Sequence, residues 1–69
     1  MKLSARNLFK GRIVGLVKGQ TTAHVKVEIA PGVVVTASIT NESVDELGLK
    51  VGGKAAAVIK ASNVMIAVE

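Results

Sequence analysis

Between Ala23 and Ile29 apolar and polar residues alternate one for one, with Ala23, Val25, Val27 and Ile29 set against His24, Lys26 and Glu28. A period of two marks a half-buried strand, because successive side chains leave opposite faces of the backbone. The neighbouring segments follow from it. Upstream, Leu8 to Val17 is aliphatic but interrupted by Lys10, Gly11, Arg12 and Gly15, which predicts a strand that bends, since glycine inside a strand marks a bulge or a close backbone approach. Lys18 to Thr22 is a polar break around Gly19 and reads as a hairpin turn. Downstream, Pro31-Gly32 turns the chain and Val33 to Ile39, rich in β-branched residues, predicts a third strand.

At Thr40 the alternation stops. Val44 and Leu47 fall three apart, Thr40 or Asn41 can cap and Gly48 can terminate, so one or two turns of helix are predicted over Thr40 to Gly48. Glu42, Asp45 and Glu46 sit early in that helix and suit the positive end of its dipole. A basic, glycine-containing turn, Lys50 to Lys54, leads to a fourth strand, Ala55 to Lys60. Ala61-Ser62-Asn63 is a tight polar connection, after which Val64, Ile66 and Val68 alternate with Met65 and Ala67 as a fifth strand. The predicted class is therefore all-β, a five-stranded OB-fold-like barrel with one short helix between strands three and four. Closing such a barrel removes exposed edges from a chain rich in Val and Ile. Without a repeat, linker or low-complexity stretch, residues 1–69 read as a single domain.

Composition changes the picture in one respect, which is assembly. A chain of 69 residues lies near the lower size limit for independent folding. It has no cysteine for a disulfide or thiolate metal site, and its single His excludes a multi-His metal cage within one chain. Oligomerisation is the remaining common route to stability. The content fits: 49% of residues are hydrophobic and mean hydropathy is +0.48, yet Phe9 is the only aromatic. Subunit interfaces are expected to take up part of this aliphatic surface.

Charge narrows the partners. A formal net charge of +4 and a pI near 9.9 favour anions, whether nucleic acid, a membrane surface or small oxyanions. An OB-type nucleic-acid module, the alternative function, would need aromatic platforms for base stacking, and this chain lacks them. No apolar run approaches the roughly 18 residues of a membrane span. The N-terminal stretch Met1-Lys2-Leu3-Ser4-Ala5-Arg6 reaches charge before any long apolar core, unlike a signal peptide, so a cytoplasmic location is expected.

Catalysis finds no support in the residues. His24 lies among strand neighbours Lys26 and Glu28 and reads as a solvated or interface side chain, and no Ser or Thr stands in a pattern with a base. Anion binding fares better. Arg6 offers a planar fork of N–H donors, Lys60 a compact ammonium, and Ser4, Thr40, Ser43 and Ser62 single hydroxyls, with main-chain amides near Ala5. The helix start at Thr40 and Ser43 is a further anion seat. A site made only of donors prefers a proton-free tetrahedral dianion, since a protonated oxyanion seeks an acceptor. Each residue also has a structural reading: Ser4 satisfying a backbone group, Thr40 and Ser43 capping the helix, Lys60 a solvated strand end.

Taken with these features, Ser4-Ala5-Arg6-Asn7 followed by Lys10-Gly11, the stretch Ile39-Thr40-Asn41-Glu42-Ser43 leading to Leu47-Gly48, and the ending Val58-Ile59-Lys60-Ala61-Ser62-Asn63-Val64-Met65 resemble the molybdate-binding Mop family, the molbindins. The resemblance covers essentially the whole chain. It implies OB-like barrels assembled as homohexamers, trimers of dimers, that bind molybdate or tungstate between subunits and serve as cytoplasmic stores, with no cofactor. It also implies an oxyanion site formed by Ser4, Ala5 and Arg6 of one subunit with Thr40, Ser43, Lys60 and Ser62 of a neighbour. A second kind of site about a threefold axis is suggested near the Lys18 to Thr22 turn. The family's domain also occurs fused to regulators and transport ATPases, and no fusion partner is expected here.

Overall fold

The segment with the most regular alternation becomes the strand that carries the core. The computed structural model describes residues 2–69, Met1 lying outside them. Its order is β1 (Asn7–Lys18), β2 (Thr22–Ala30), β3 (Val33–Thr40), helix α1 (Asn41–Glu46), β4 (Lys54–Ile59) and a 3-10 turn at Ala61–Asn63. Ala23, Val25 and Val27 of β2 are buried with Ile13 of β1 and Val44 of α1, while His24 and Lys26 face outward. Leu16, Ile29, Ile39, Leu49 and Ala55 pack around that nucleus.

The strands form one antiparallel sheet in the order β3-β2-β1-β4. β1 serves two partners. Its first half pairs with β4, from Asn7 opposite Ile59 to Arg12 opposite Lys54, and its second half with β2, from Arg12 opposite Glu28 to Lys18 opposite Ala23. The bend between the halves needs Gly11, where a Cβ would lie 2.2 Å from the Glu28 carbonyl oxygen. A register shift between Ile13 and Gly15 adds a bulge just beyond. Both glycine-marked irregularities expected in the first strand are therefore present, and they curl the sheet.

The helix is short and capped as its sequence suggests. Thr40 is the N-cap, its side chain accepting from the Ser43 amide at 3.0 Å, and Gly48 takes φ +62° just past the end. Only a residue without a Cβ enters that left-handed region freely. Val44 is the one residue that α1 buries.

The fifth strand is not formed. Residues 64–69 make no ladder with the sheet, and Met65, Ile66 and Val68 are 92%, 87% and 91% exposed. Alternation states that one face of a segment can be buried, but it does not say which edge receives it. Among the described residues the fold is accordingly a curled four-stranded antiparallel sheet with one short helix, and β3 and β4 remain as its edges. A closed five-stranded barrel is not present in the single chain.

Candidate functional site

The predicted donors gather at two ends of the sheet rather than in one place. At the first end, Asn7 is paired with Ile59, and its side-chain Nδ2 donates to the Ile59 carbonyl at 3.1 Å. Ser4, Ala5 and Arg6 immediately precede this pair and Lys60, Ala61 and Ser62 immediately follow it, so both segments emerge side by side. Ala5 is half-buried, while Ser4, Arg6, Lys60 and Ser62 are exposed. No Asp or Glu occurs in residues 2–12 or 54–64. Two cations and two hydroxyls thus stand together with no carboxylate in either segment, the electrostatic condition for holding a dianion.

Asn7 belongs to the Ser4-Ala5-Arg6-Asn7 stretch that the sequence marks for anion chemistry, but in the structure its side chain bonds the main chain of β4. Its carboxamide is what ties the two segments, 52 residues apart in the chain. The available signal was a carboxamide directly before an apolar strand, and it names no partner.

Thr40 and Ser43 lie elsewhere. Thr40 pairs with Thr22 on β2, one step beyond Ala23, which faces Lys18 at the far end of β1. Eleven residue steps of β1 separate Asn7 from Lys18, a contour of roughly 36 Å at 3.3 Å per residue. Lys60 and Ser62 were grouped with Thr40 and Ser43 by the family resemblance, yet the register sets them with the chain's own Arg6.

The Thr40 end has its own logic. The Thr40 hydroxyl accepts from the Ser43 amide and lies 2.8 Å from Ser43 Oγ as donor. Both of its capacities are engaged locally, which is the capping role, whereas Ser43 keeps its hydroxyl proton for another acceptor. The helix start is not an open anion seat, because the Asn41 amide donates to the Thr21 carbonyl at 2.9 Å and the Ser43 amide is capped. Glu42 adds an acid to the first turn. Around the neighbouring turn, Asn41 Nδ2 donates to the Gly19 carbonyl at 2.9 Å and Lys18 Nζ meets Asp45 Oδ1 at 2.6 Å. Asn41 Oδ1 is buried with no partner among the described residues.

Neither of the two principal cavities contains these donors. A shallow cleft of about 610 Å³ lies over Lys10, Arg12, Glu28 and Lys54. A deeper apolar groove of about 680 Å³ runs between β3 and β4. Among the described residues no cluster of His, Asp or Glu is arranged to hold a metal ion through side chains, and no helix is long and apolar enough to cross a membrane.

Fold and donor set together define a small β domain with hydrogen-bond donors collected at its sheet ends. A family model for the TOBE domain matches residues 3–66. Molybdenum-pterin-binding protein 1 of Clostridium pasteurianum is 53% identical over 66 residues, covering 96% of this chain and 97% of that protein. Among solved structures, MopII from Clostridium pasteurianum superposes with a TM-score of 0.90 at 49% identity, covering 97% of this chain and 100% of its own. ModG, a cytoplasmic molybdate-binding protein solved with molybdate bound, superposes with a TM-score of 0.90 at 45% identity over 94% of this chain and 46% of its own. This chain belongs to the TOBE-domain family and, within it, to the Mop proteins, the molbindins.

Proposed function

We propose that this chain is a non-enzymatic binding protein for molybdate and tungstate. It holds the oxyanion at subunit interfaces of a homohexamer, a trimer of dimers, and acts as a cytoplasmic store. The observation that carries the reading is the end of the sheet where Ser4, Arg6, Lys60 and Ser62 stand together with no carboxylate in their segments. The similarity to ModG, whose structure contains molybdate, supports the choice of ligand.

In this reading Arg6 directs two N–H groups at two oxygens of the anion, and Lys60 supplies a second positive charge. The Ser4 and Ser62 hydroxyls and the Ala5 amide fix orientation. Because Thr40 and Ser43 lie at the opposite end of β1, they reach an anion only from a neighbouring copy, with Ser43 donating and Thr40 holding it in place. Charge-assisted bonds of this kind contribute about 1.5–3 kcal/mol each, so several of them give useful affinity for a small dianion. Discrimination against sulfate, an equally proton-free dianion, rests on the size of the space the copies enclose.

Titration calorimetry of the intact protein with molybdate, tungstate and sulfate tests this. Binding of the first two, with affinity lowered about 10- to 100-fold in Arg6→Ala while the oligomer persists, is the expected result. Absence of molybdate binding by the wild-type oligomer would remove the reading.

A further inference from the structure

We propose that the cleft over Lys10, Arg12 and Lys54 is a separate binding site, one for a phosphate monoester carried on a small apolar body. It lies apart from the donors at Ser4, Arg6, Lys60 and Ser62 and does not depend on what they bind.

Register brings the charges together. Lys10 and Arg12 are two apart on β1 and so share a face of the sheet. Arg12 stands opposite Lys54 on β4 and opposite Glu28 on β2, and it is the one residue of β1 with a partner on both sides. Like charges directly across a ladder repel, and nothing within the chain offsets this. Among the described residues the one ion pair is Lys18 with Asp45, and no side-chain hydrogen bond reaches Lys10, Arg12, Lys54 or Glu28. An anion seated between Arg12 and Lys54 removes the repulsion.

The cleft exists because the sheet splits at this point. On the N-terminal side of Arg12, β1 continues with β4 alone, whereas β2 runs on through Ile29 to the turn at Pro31. Ile29 falls in a register shift between Glu28 and Ala30 and has no partner on β3, a bulge of the kind that re-aims side chains beside binding sites. The space left by the diverging strands is about 610 Å³, within the range of small-molecule sites and more than a four-oxygen anion fills. Ile29, Pro31, Ala55 and Ala56 supply its apolar lining. Charge then selects the ligand class. Three cations less one carboxylate leave +2 around the cleft, and a phosphate monoester carries about −1.5 to −2 near neutral pH. Arg12 offers its oxygens a planar fork and the two lysines add point charges. Glu28 accepts an N–H or O–H from the body. An inorganic oxyanion would leave the apolar lining wet, and an uncharged ligand would leave the cations unanswered.

The test is an amide NMR titration of the intact wild-type protein with phenyl phosphate, which needs no variant to fold. Shifts are expected at Gly11, Ile29 and Ala55, with smaller changes for inorganic phosphate and for phenol at the same concentration. Shifts centred on Ser4, Arg6 and Lys60, none up to about 10 mM phenyl phosphate, or equal shifts with phenol overturn the proposal. A second arm uses Arg12→Gln and Lys54→Ala, both at exposed positions. Each is expected to weaken phenyl phosphate binding about tenfold or more while molybdate binding measured by calorimetry is unchanged, and Glu28→Gln is expected to tighten it, since the phenyl body has no donor for the carboxylate. Undiminished phenyl phosphate binding in both cation variants overturns the proposal. A wild-type protein that binds no molybdate leaves the wild-type titration unaffected, so the two readings fail separately.

Discussion

Gly11→Ala is the substitution most clearly specified by the geometry. The added Cβ would lie 2.2 Å from the Glu28 carbonyl oxygen, 2.9 Å from its carbon and 3.1 Å from the Ile29 Cα. All three contacts are with backbone, so no side chain can swing aside. β1 and β2 must separate where β1 passes from β4 to β2, opening the ladder near Arg12 and Glu28. Overpacking that forces backbone movement costs on the order of 2–3 kcal/mol. The whole stability of a 69-residue chain is only about 3.5–10 kcal/mol, and each kcal/mol moves the midpoint by roughly 4–8 °C at this size. A fall of about 8–24 °C in Tm is expected by circular dichroism, with both proteins at equal concentration because assembly adds to stability. Gly15→Ala is the control. Its Cβ meets only the Lys26 side chain at 3.4 Å, so its effect should stay within about 1 kcal/mol. A Gly11→Ala protein that melts within about 2 °C of wild type would refute the argument from close approach, as would an equal loss in Gly15→Ala.

Other outcomes follow from the hydrogen bonds and charges at the far end of the sheet. Thr40→Ala removes the helix cap and should lower stability by about 1 kcal/mol, measured by urea unfolding. Ser43→Ala should leave the unfolding midpoint nearly unchanged yet weaken molybdate binding about tenfold, and calorimetry with equal affinity would exclude Ser43 as a donor. The Lys18–Asp45 ion pair has side chains 42% and 69% exposed, so Asp45→Asn should change stability by less than about 1 kcal/mol. A larger loss in thermal melts would show that the pair does more than sit in solvent.

The elements legible in the sequence were those whose cause is local. Alternation at 23–29 and β-branched content at 33–39 identified two strands, the glycines of β1 identified its bend and bulge, and Thr40 with Gly48 bracketed the helix. These depend on side-chain period and backbone freedom, which neighbouring residues determine. The misread element was the strand at 64–68, where alternation is present but the segment pairs with neither edge of the sheet. The candidate site divided in the same way. Residue types named Ser4, Arg6, Thr40, Ser43, Lys60 and Ser62, but which of them meet depends on register. The pairing of Asn7 with Ile59 joins Arg6 to Lys60, and that of Thr40 with Thr22 sends the hydroxyl pair to the other end. Thr40 also illustrates how a donor chosen by chemistry can already be occupied, its hydroxyl being committed to Ser43.

The claim that binding and assembly are one property is tested most directly by native mass spectrometry of the full chain with and without molybdate, which reads subunit number and bound anions in the same spectrum. The account predicts a hexamer that takes up molybdate in discrete steps, with bound anion confined to the assembled species. Anion retained on isolated monomers, or a hexamer that binds none, would contradict it.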